Sequence, residues 1–186
     1  AYCDETRAFD VGELYKPFLG QLNDGAHILD LGCGSGRDSK AFLGQGYRVT
    51  AVDGSDEMAA CAAQALGQEV SVTTFQELSY HDTFDGVWAS ASLLHCPRQQ
   101  IQSVLSRIKL ALKPGGVAYL SFKWGDDETV DDRGRYFNNY TLTSLQVLVE
   151  SVPGFSMIEL WSESTILRGI EQQWAYALIK KDIESL

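Results

Sequence analysis

The sequence has no apolar run approaching the ~18 residues of a membrane-crossing helix, so no span is expected. Cysteine is scarce, with four in 186 residues (Cys3, Cys33, Cys61, Cys96), no two of them forming a Cys-x-x-Cys pair. With only three histidines (His27, His81, His95) no zinc-ligand spacing occurs, and a disulfide scaffold would need denser cysteines. Positive charge is also short: 15 Lys+Arg against 25 Asp+Glu leave a net charge of −10. Such a chain is repelled by phosphate backbones and anionic bilayers, which argues against an unaided nucleic-acid or membrane-surface protein. Internal repeats, low-complexity tracts and long linkers are missing too. The opening residues AYCDETRAFD lack the basic start and apolar centre of a signal peptide, so the expected setting is a reduced cytoplasm. What remains is a globular balance, with 45% hydrophobic, 11% aromatic and 22% charged residues. It fits one domain over 1–186.

Short apolar runs alternate with amphipathic stretches along the chain. The runs at 27–32, 47–54, 70–75, 84–92 and 116–124 read as buried strands. The stretches at 37–46, 55–66 and 98–112 read as helices, the last with Ile101, Val104, Leu105, Ile108 and Leu112 at helical spacing. Strand–helix alternation of this kind predicts an α/β fold with a parallel sheet, right-handed crossovers and helices on both faces. Residues 1–25 are expected to form a helical cap. The acidic, polar stretch 124–140 reads as a substrate-side loop or lid. A helix near 142–151 and an antiparallel hairpin from strands at 155–163 and 173–181 complete the pattern.

The chemistry concentrates in Asp30-Leu31-Gly32-Cys33-Gly34-Ser35-Gly36, between the first strand and the next helix. Glycines allow positive φ and a close ligand approach, and the helix start favours an anionic group. Asp53 ends the next strand, 19 residues after Gly34, where a carboxylate can accept hydrogen bonds from both hydroxyls of a ribose. Glycine loop plus acid point to a nucleoside cofactor: a nicotinamide dinucleotide, which would make the chain an oxidoreductase, or S-adenosylmethionine. The spacing Gly-x-Gly-x-Gly, rather than Gly-x-Gly-x-x-Gly, favours the second. So does Asp30, placed to receive an ammonium group that a dinucleotide lacks. Arg37, at the helix start, points toward the same pocket.

The segments ILDLGCGSGRD, VTAVDGSDEM, FDGVWASASLLHCP and ALKPGGVAYLSFK, in that order, closely resemble class I S-adenosylmethionine-dependent methyltransferases. The arginine directly after the glycines resembles the small bacterial methyltransferases related to the tellurite-resistance group. The resemblance implies a Rossmann-like three-layer sandwich: a seven-stranded, mostly parallel sheet of order 3-2-1-4-5-7-6, with strand 7 antiparallel. It implies that Gly32, Gly34 and Gly36 approach the methionine part of the cofactor, that Asp30 orients its amino group and that Asp53, beside Gly54, holds the ribose. Met58 would pack on the adenine face and Phe75 and Gln76 lie at its edge, although Thr74 stands where many relatives carry an acid. Ala89 and Ser90 would lie next to the sulfonium. Tyr2 and Lys16 would close over the cofactor.

The substrate side is expected at the carboxyl ends of strands four and five. That nominates His95 and Tyr140 as catalytic residues, and Trp124, Arg133, Arg135 and Tyr136 as substrate contacts. His95 can act as a base near neutrality, and the arginines can grip an anion through paired hydrogen bonds. No asparagine-proline-proline-aromatic motif occurs, which argues against amino methylation of adenine or glutamine. Cys33, inside the turn, reads as a packed residue rather than a nucleophile. The expected activity is therefore in-line methyl transfer to a small soluble molecule, an oxyanion or carboxylate. The resemblance allows tellurite or selenite. No metal is expected, the protein acting as a monomer or homodimer. A cofactor-binding module without catalysis is the remaining alternative.

Overall fold

The computed structural model describes residues 12–167 and 170–183; Tyr2 and Cys3 lie outside them. A short helix α1 (Gly12–Leu19) precedes β1 (His27–Leu31), α2 (Arg37–Gly44), β2 (Arg48–Asp53), α3 (Asp56–Leu66) and β3 (Ser71–Val72). β4 (Phe84–Ala89), α4 (Arg98–Ala111), β5 (Leu112–Lys123), β6 (Glu128–Val130) and β7 (Tyr136–Asn138) follow. The chain continues with α5 (Leu142–Glu150), β8 (Phe155–Leu167) and β9 (Ile170–Lys181). Single 3-10 turns sit at Phe75–Glu77 and Leu93–His95.

Seven strands form one sheet of order β3-β2-β1-β4-β5-β9-β8, with β6 and β7 in a separate pair. Counting only the strands of the large sheet, this is the order 3-2-1-4-5-7-6. The pairs among β1 to β5 are parallel, and β9 runs antiparallel to β5. Among the described residues no helix is long and apolar enough to cross a membrane.

Local signals explain the boundaries. Ser55 caps α3 by accepting from the Met58 amide, and Gly67 ends the helix in the left-handed region. In α4 the buried residues are Ile101, Val104, Leu105, Ile108 and Ala111, one stripe facing the sheet. β3 is shorter than the expected 70–75. Glu77 reaches back to both the amide and the hydroxyl of Thr74, and this capping box turns the chain into a 3-10 turn before the strand can extend. The stretch 124–140 is a hairpin rather than a bare loop. Arg98, the first residue of α4, fastens it by donating to Asn138 Oδ1 at 2.9 Å and to the carbonyls of Asp126 and Asn139.

Helices cover both faces of the sheet. α4 and α5 enclose the larger cluster, with Leu29, Val87, Leu105, Leu120 and Leu145 at its centre. On the other face Tyr15, Phe18, Phe42, Trp88, Tyr119 and Tyr176 form an aromatic cluster, with Trp88 and Tyr119 stacked at 3.9 Å. Here α1 crosses β4 over Gly86, where a Cβ would lie 2.7 Å from the Phe18 ring. Both are fully enclosed, so Gly86→Ala should lower stability by about 1–3 kcal/mol through overpacking. A urea titration measures this, and an unchanged midpoint would mean that α1 yields freely.

Candidate active site

The turn after β1 is tied to β2: Gly32 and Cys33 donate their amides to the Val52 carbonyl at 2.9 and 3.0 Å. Gly32, Gly34 and Gly36 all have positive φ, at 77°, 56° and 79°. Their surroundings differ. A Cβ on Gly32 would meet Ser92 Cβ at 2.5 Å, and one on Gly36 would meet Ala62 Cβ at 3.3 Å. Those two glycines let the turn pack against the β4 loop and α3. A Cβ on Gly34 would find only Met58 Cε, at 3.7 Å. Gly34 is thus the glycine that faces open space, beside Met58.

Asp53 closes this turn from β2. One carboxylate oxygen accepts the Gly34 amide at 2.8 Å and the other the Ser55 amide at 2.9 Å. A carboxylate offers about four acceptor positions, so two remain for hydroxyl donors. Gly54 lies next to Thr74: a Cβ added to Gly54 would sit 3.9 Å from the Thr74 α-carbon. Phe75 packs against the main core, and the Gln76 amide nitrogen donates to Gln100 at 2.6 Å, so its side chain is engaged toward α4.

Beneath the turn lies a buried carboxylate pair. Asp30 is 2% exposed, and its Oδ2 accepts the Ser39 hydroxyl at 2.6 Å. Burial, reinforced by the charge of Asp38, raises its pKa to about 7. Asp38 accepts from Tyr15 Oη, Trp88 Nε1 and Arg37 Nε at 2.7, 2.7 and 2.6 Å. Arg37 therefore spends one edge of its guanidinium on Asp38 rather than pointing free into the pocket. Asp38 and Ser39 escaped the sequence reading because nothing local marks them; their partners come from α1, β1 and β4.

The β4 end is equally specific. Ala89 is fully enclosed, its side chain packed in the main core cluster. Ser90 is partly exposed. Ala91 adopts φ 49° and is held by donating its amide to Ser121 Oγ at 2.7 Å. Ser92 Oγ is buried without a hydrogen-bond partner among the described residues, 3.2 Å from where a Cβ on Gly32 would sit. An orphaned hydroxyl beside the turn and an open glycine across from a carboxylate fit a polar ligand with an aminoacyl tail and a sugar.

A second cluster lies at the carboxyl ends of β4 and β5. His95 Nδ1 stands 2.8 Å from the Tyr136 carbonyl. A carbonyl only accepts, so Nδ1 carries the proton and neutral His95 presents Nε2 as its lone pair. Partial burial, helped by nearby Arg135 and Lys123, lowers its pKa. Its ring packs on Phe137, centroids 4.9 Å apart. Tyr136 donates its hydroxyl to Glu128 within the hairpin.

Other nominated residues are placed differently from the sequence reading. Tyr140 is 4% exposed, edge-on to Phe122 at 4.7 Å, with the Arg98 guanidinium over its ring and its hydroxyl accepting from Asn138. Its ring belongs to the packing of the hairpin on β5, and the little of it that is exposed borders an open pocket of about 450 Å³ with Arg98, Gln102 and Thr141, away from His95. Arg135 is paired with Asp131 at 2.7 Å, and the Arg133 amide caps the same carboxylate. The Asp131 turn thus absorbs the anion-gripping capacity expected of Arg135. Trp124 is 37% exposed at the end of β5, and Lys16 pairs with Glu13. A separate cavity of about 400 Å³, lined by Asn23, Asp85, Lys113 and Gly116, opens at the opposite, amino ends of the strands.

The description "Methyltransferase domain" matches residues 28–116, from β1 through the start of β5. The cypemycin N-terminal methyltransferase of a Streptomyces species is 36% identical over 102 residues, 52% of this chain and 42% of that protein. The chain thus spans about two fifths of that relative's length. Among solved structures, a S-adenosylmethionine-dependent methyltransferase of Methanosarcina mazei superposes with a TM-score of 0.79 at 23% identity, over 91% of this chain and 99% of that one. The 1,6-didemethyltoxoflavin-N1-methyltransferase of Burkholderia thailandensis, with bound 1,6-didemethyltoxoflavin and S-adenosylhomocysteine, does so at 0.79 and 26% identity, over 97% and 80%. With its glycine turn and the carboxylate across from it, the chain carries a methyltransferase domain over residues 28–116 and is similar to the class I S-adenosylmethionine-dependent methyltransferases.

Proposed function

We propose that this chain, acting as one domain, transfers the methyl group of S-adenosylmethionine to a small soluble, anionic molecule by in-line displacement. It does so in the cytoplasm, as a monomer or homodimer, with no nucleic acid or membrane as partner. The observation that carries the reading is the Asp53 carboxylate bonded to the Gly34 amide, across a turn whose one open glycine faces the pocket. A small molecule bound beside S-adenosylhomocysteine in the Burkholderia structure supports an acceptor of that size.

In this reading Asp53 holds the ribose hydroxyls with its spare acceptor positions, and Met58 covers the adenine, with Phe75 and the backbone of Gln76 at its edge. Asp30 receives the amino group, and the remaining guanidinium edge of Arg37 faces the carboxylate. When bound, the cofactor supplies a methyl group made electrophilic by its sulfonium. The protein's task is then alignment and exclusion of water. His95 takes the acceptor's proton at Nε2 when the nucleophile arrives protonated. Its lowered pKa keeps that position free at neutral pH.

Two measurements test the reading. Thermal shift should rise with S-adenosylhomocysteine and stay flat with NAD; the opposite pattern would overturn it. Labelled methyl transfer should then appear with small organic acids or oxyanions, and activity restricted to RNA or protein would overturn the acceptor class. Binding without any turnover would leave a cofactor-binding module.

A further inference from the structure

The lysines of the described chain sort into three kinds. Lys16, Lys113 and Lys181 pair with Glu13, Asp85 and Asp82, and Lys109 donates to the Pro153 carbonyl. Lys40 and Lys180 are exposed to solvent. Lys123 fits neither kind. It is half-buried at the last residue of β5, and among the described residues no carboxylate pairs with its ammonium. Its Nζ lies 3.8 Å above the Phe137 ring centroid. Burial first, then the charge of Arg135, lowers its pKa.

The surroundings sharpen the anomaly. Three nitrogen bases crowd one aromatic ring: Lys123 at 3.8 Å, His95 at 4.9 Å and Arg135 at 5.4 Å from Phe137. The local carboxylate, Asp131, is already held by the side chain and the amide of Arg135. In a chain of net charge −10, an under-neutralised cationic spot on a half-buried floor is costly unless an anion joins it. The spot is also correctly placed. β4 and β5 are in register with Ala89 opposite Leu120, so Lys123 extends beyond the end of β4 on the side of the glycine turn. His95 follows β4 on that same side, with Nε2 unengaged by the Tyr136 bond.

We infer that Lys123 is the specificity residue for the methyl acceptor. Its ammonium, above Phe137, binds a carboxylate or small oxyanion group of the substrate and holds the nucleophilic end toward His95. This rests on the methyl-transfer reading of the site and moves the anion contact from Arg135, whose guanidinium Asp131 occupies, to the end of β5. Phe137 supplies the floor, and Arg135 strengthens the field without touching the ligand.

Calorimetric titration of the protein saturated with S-adenosylhomocysteine tests the assignment. The probes are benzoate, its neutral counterpart benzamide, and inorganic phosphate. Benzoate or phosphate should bind at least about tenfold more tightly than benzamide. Whichever of the two anions binds distinguishes a carboxylate from an inorganic oxyanion. Lys123→Met should abolish the preference while leaving the affinity for S-adenosylhomocysteine unchanged, and Lys123→Arg should retain most of it, a rescue that a merely structural lysine would not give. Failure of both anions to bind more tightly than benzamide, or an undiminished preference in Lys123→Met, overturns the assignment. Failure of S-adenosylhomocysteine itself to bind would instead sink the methyl-transfer reading.

Discussion

Gly34→Val removes measurable binding of S-adenosylmethionine and S-adenosylhomocysteine while the sheet stays folded. The backbone at Gly34 has φ 56°, where a side chain costs about 1–2 kcal/mol. In a domain of this size, ~1 kcal/mol moves the melting temperature by about 2–4 °C, so folding survives. The ligand does not fare as well. The open face of Gly34, beside Met58 Cε, is where the branched side chain must go. Affinity should fall at least about a hundredfold, or ~2.7 kcal/mol. Gly34→Ala, with less bulk and the same φ demand, should fall between. Gly32→Ala provides the contrast, because its Cβ would strike Ser92 at 2.5 Å and the damage falls on packing. Circular dichroism and calorimetry on the three variants separate the two effects. A Gly34→Val protein that binds as the parent does would remove the glycine turn from the cofactor site.

Cofactor affinity decreases as the pH falls through neutrality. Burial and the neighbouring Asp38 raise the Asp30 pKa to about 7, so near neutrality the free protein carries this carboxyl partly protonated. An ammonium group from the ligand binds the carboxylate form. Affinity is therefore full above the raised pKa and drops below it by up to tenfold per pH unit, about 1.4 kcal/mol. Binding near neutrality releases a proton, which titrations in buffers of different ionisation enthalpy detect. For folding the sign is the reverse. Because the folded value lies above the ordinary 3.8, Asp30 contributes stability below that ordinary value and loses it as the pH rises to about 7. S-adenosylhomocysteine should thus stabilise the protein most where the free fold is weakened by this group. Asp30→Asn should flatten the pH dependence and cost roughly 2–5 kcal/mol of binding, as loss of one partner of a buried charge pair does. A flat affinity profile around neutrality in the parent would show that Asp30 faces no ammonium.

Much of this was legible in the residues themselves. The strand–helix alternation, the three glycines and Asp53 are local in sequence, and each follows from a local physical demand. The glycines stand where φ must be positive, Asp53 where a strand ends beside the turn, and the α4 stripe where a helix must cover a sheet. Parallel pairing by right-handed crossovers then leaves little freedom in the order of the first five strands.

Other features depended on partners far apart along the chain. Asp38 becomes a hub because Tyr15 and Trp88 converge on it from 23 and 50 residues away. Tyr140 looked available and is buried, since the hairpin that Arg98 pins turns it inward. Arg135 looked free and is paired, because a tight turn brings Asp131 back onto it. Lys123 passed unnoticed as the last residue of an apolar strand. Periodicity and spacing report backbone geometry, which repeats along the chain. Which charges find partners, and which are left for a ligand, depends on distances through space, and those exist only once the sheet has closed.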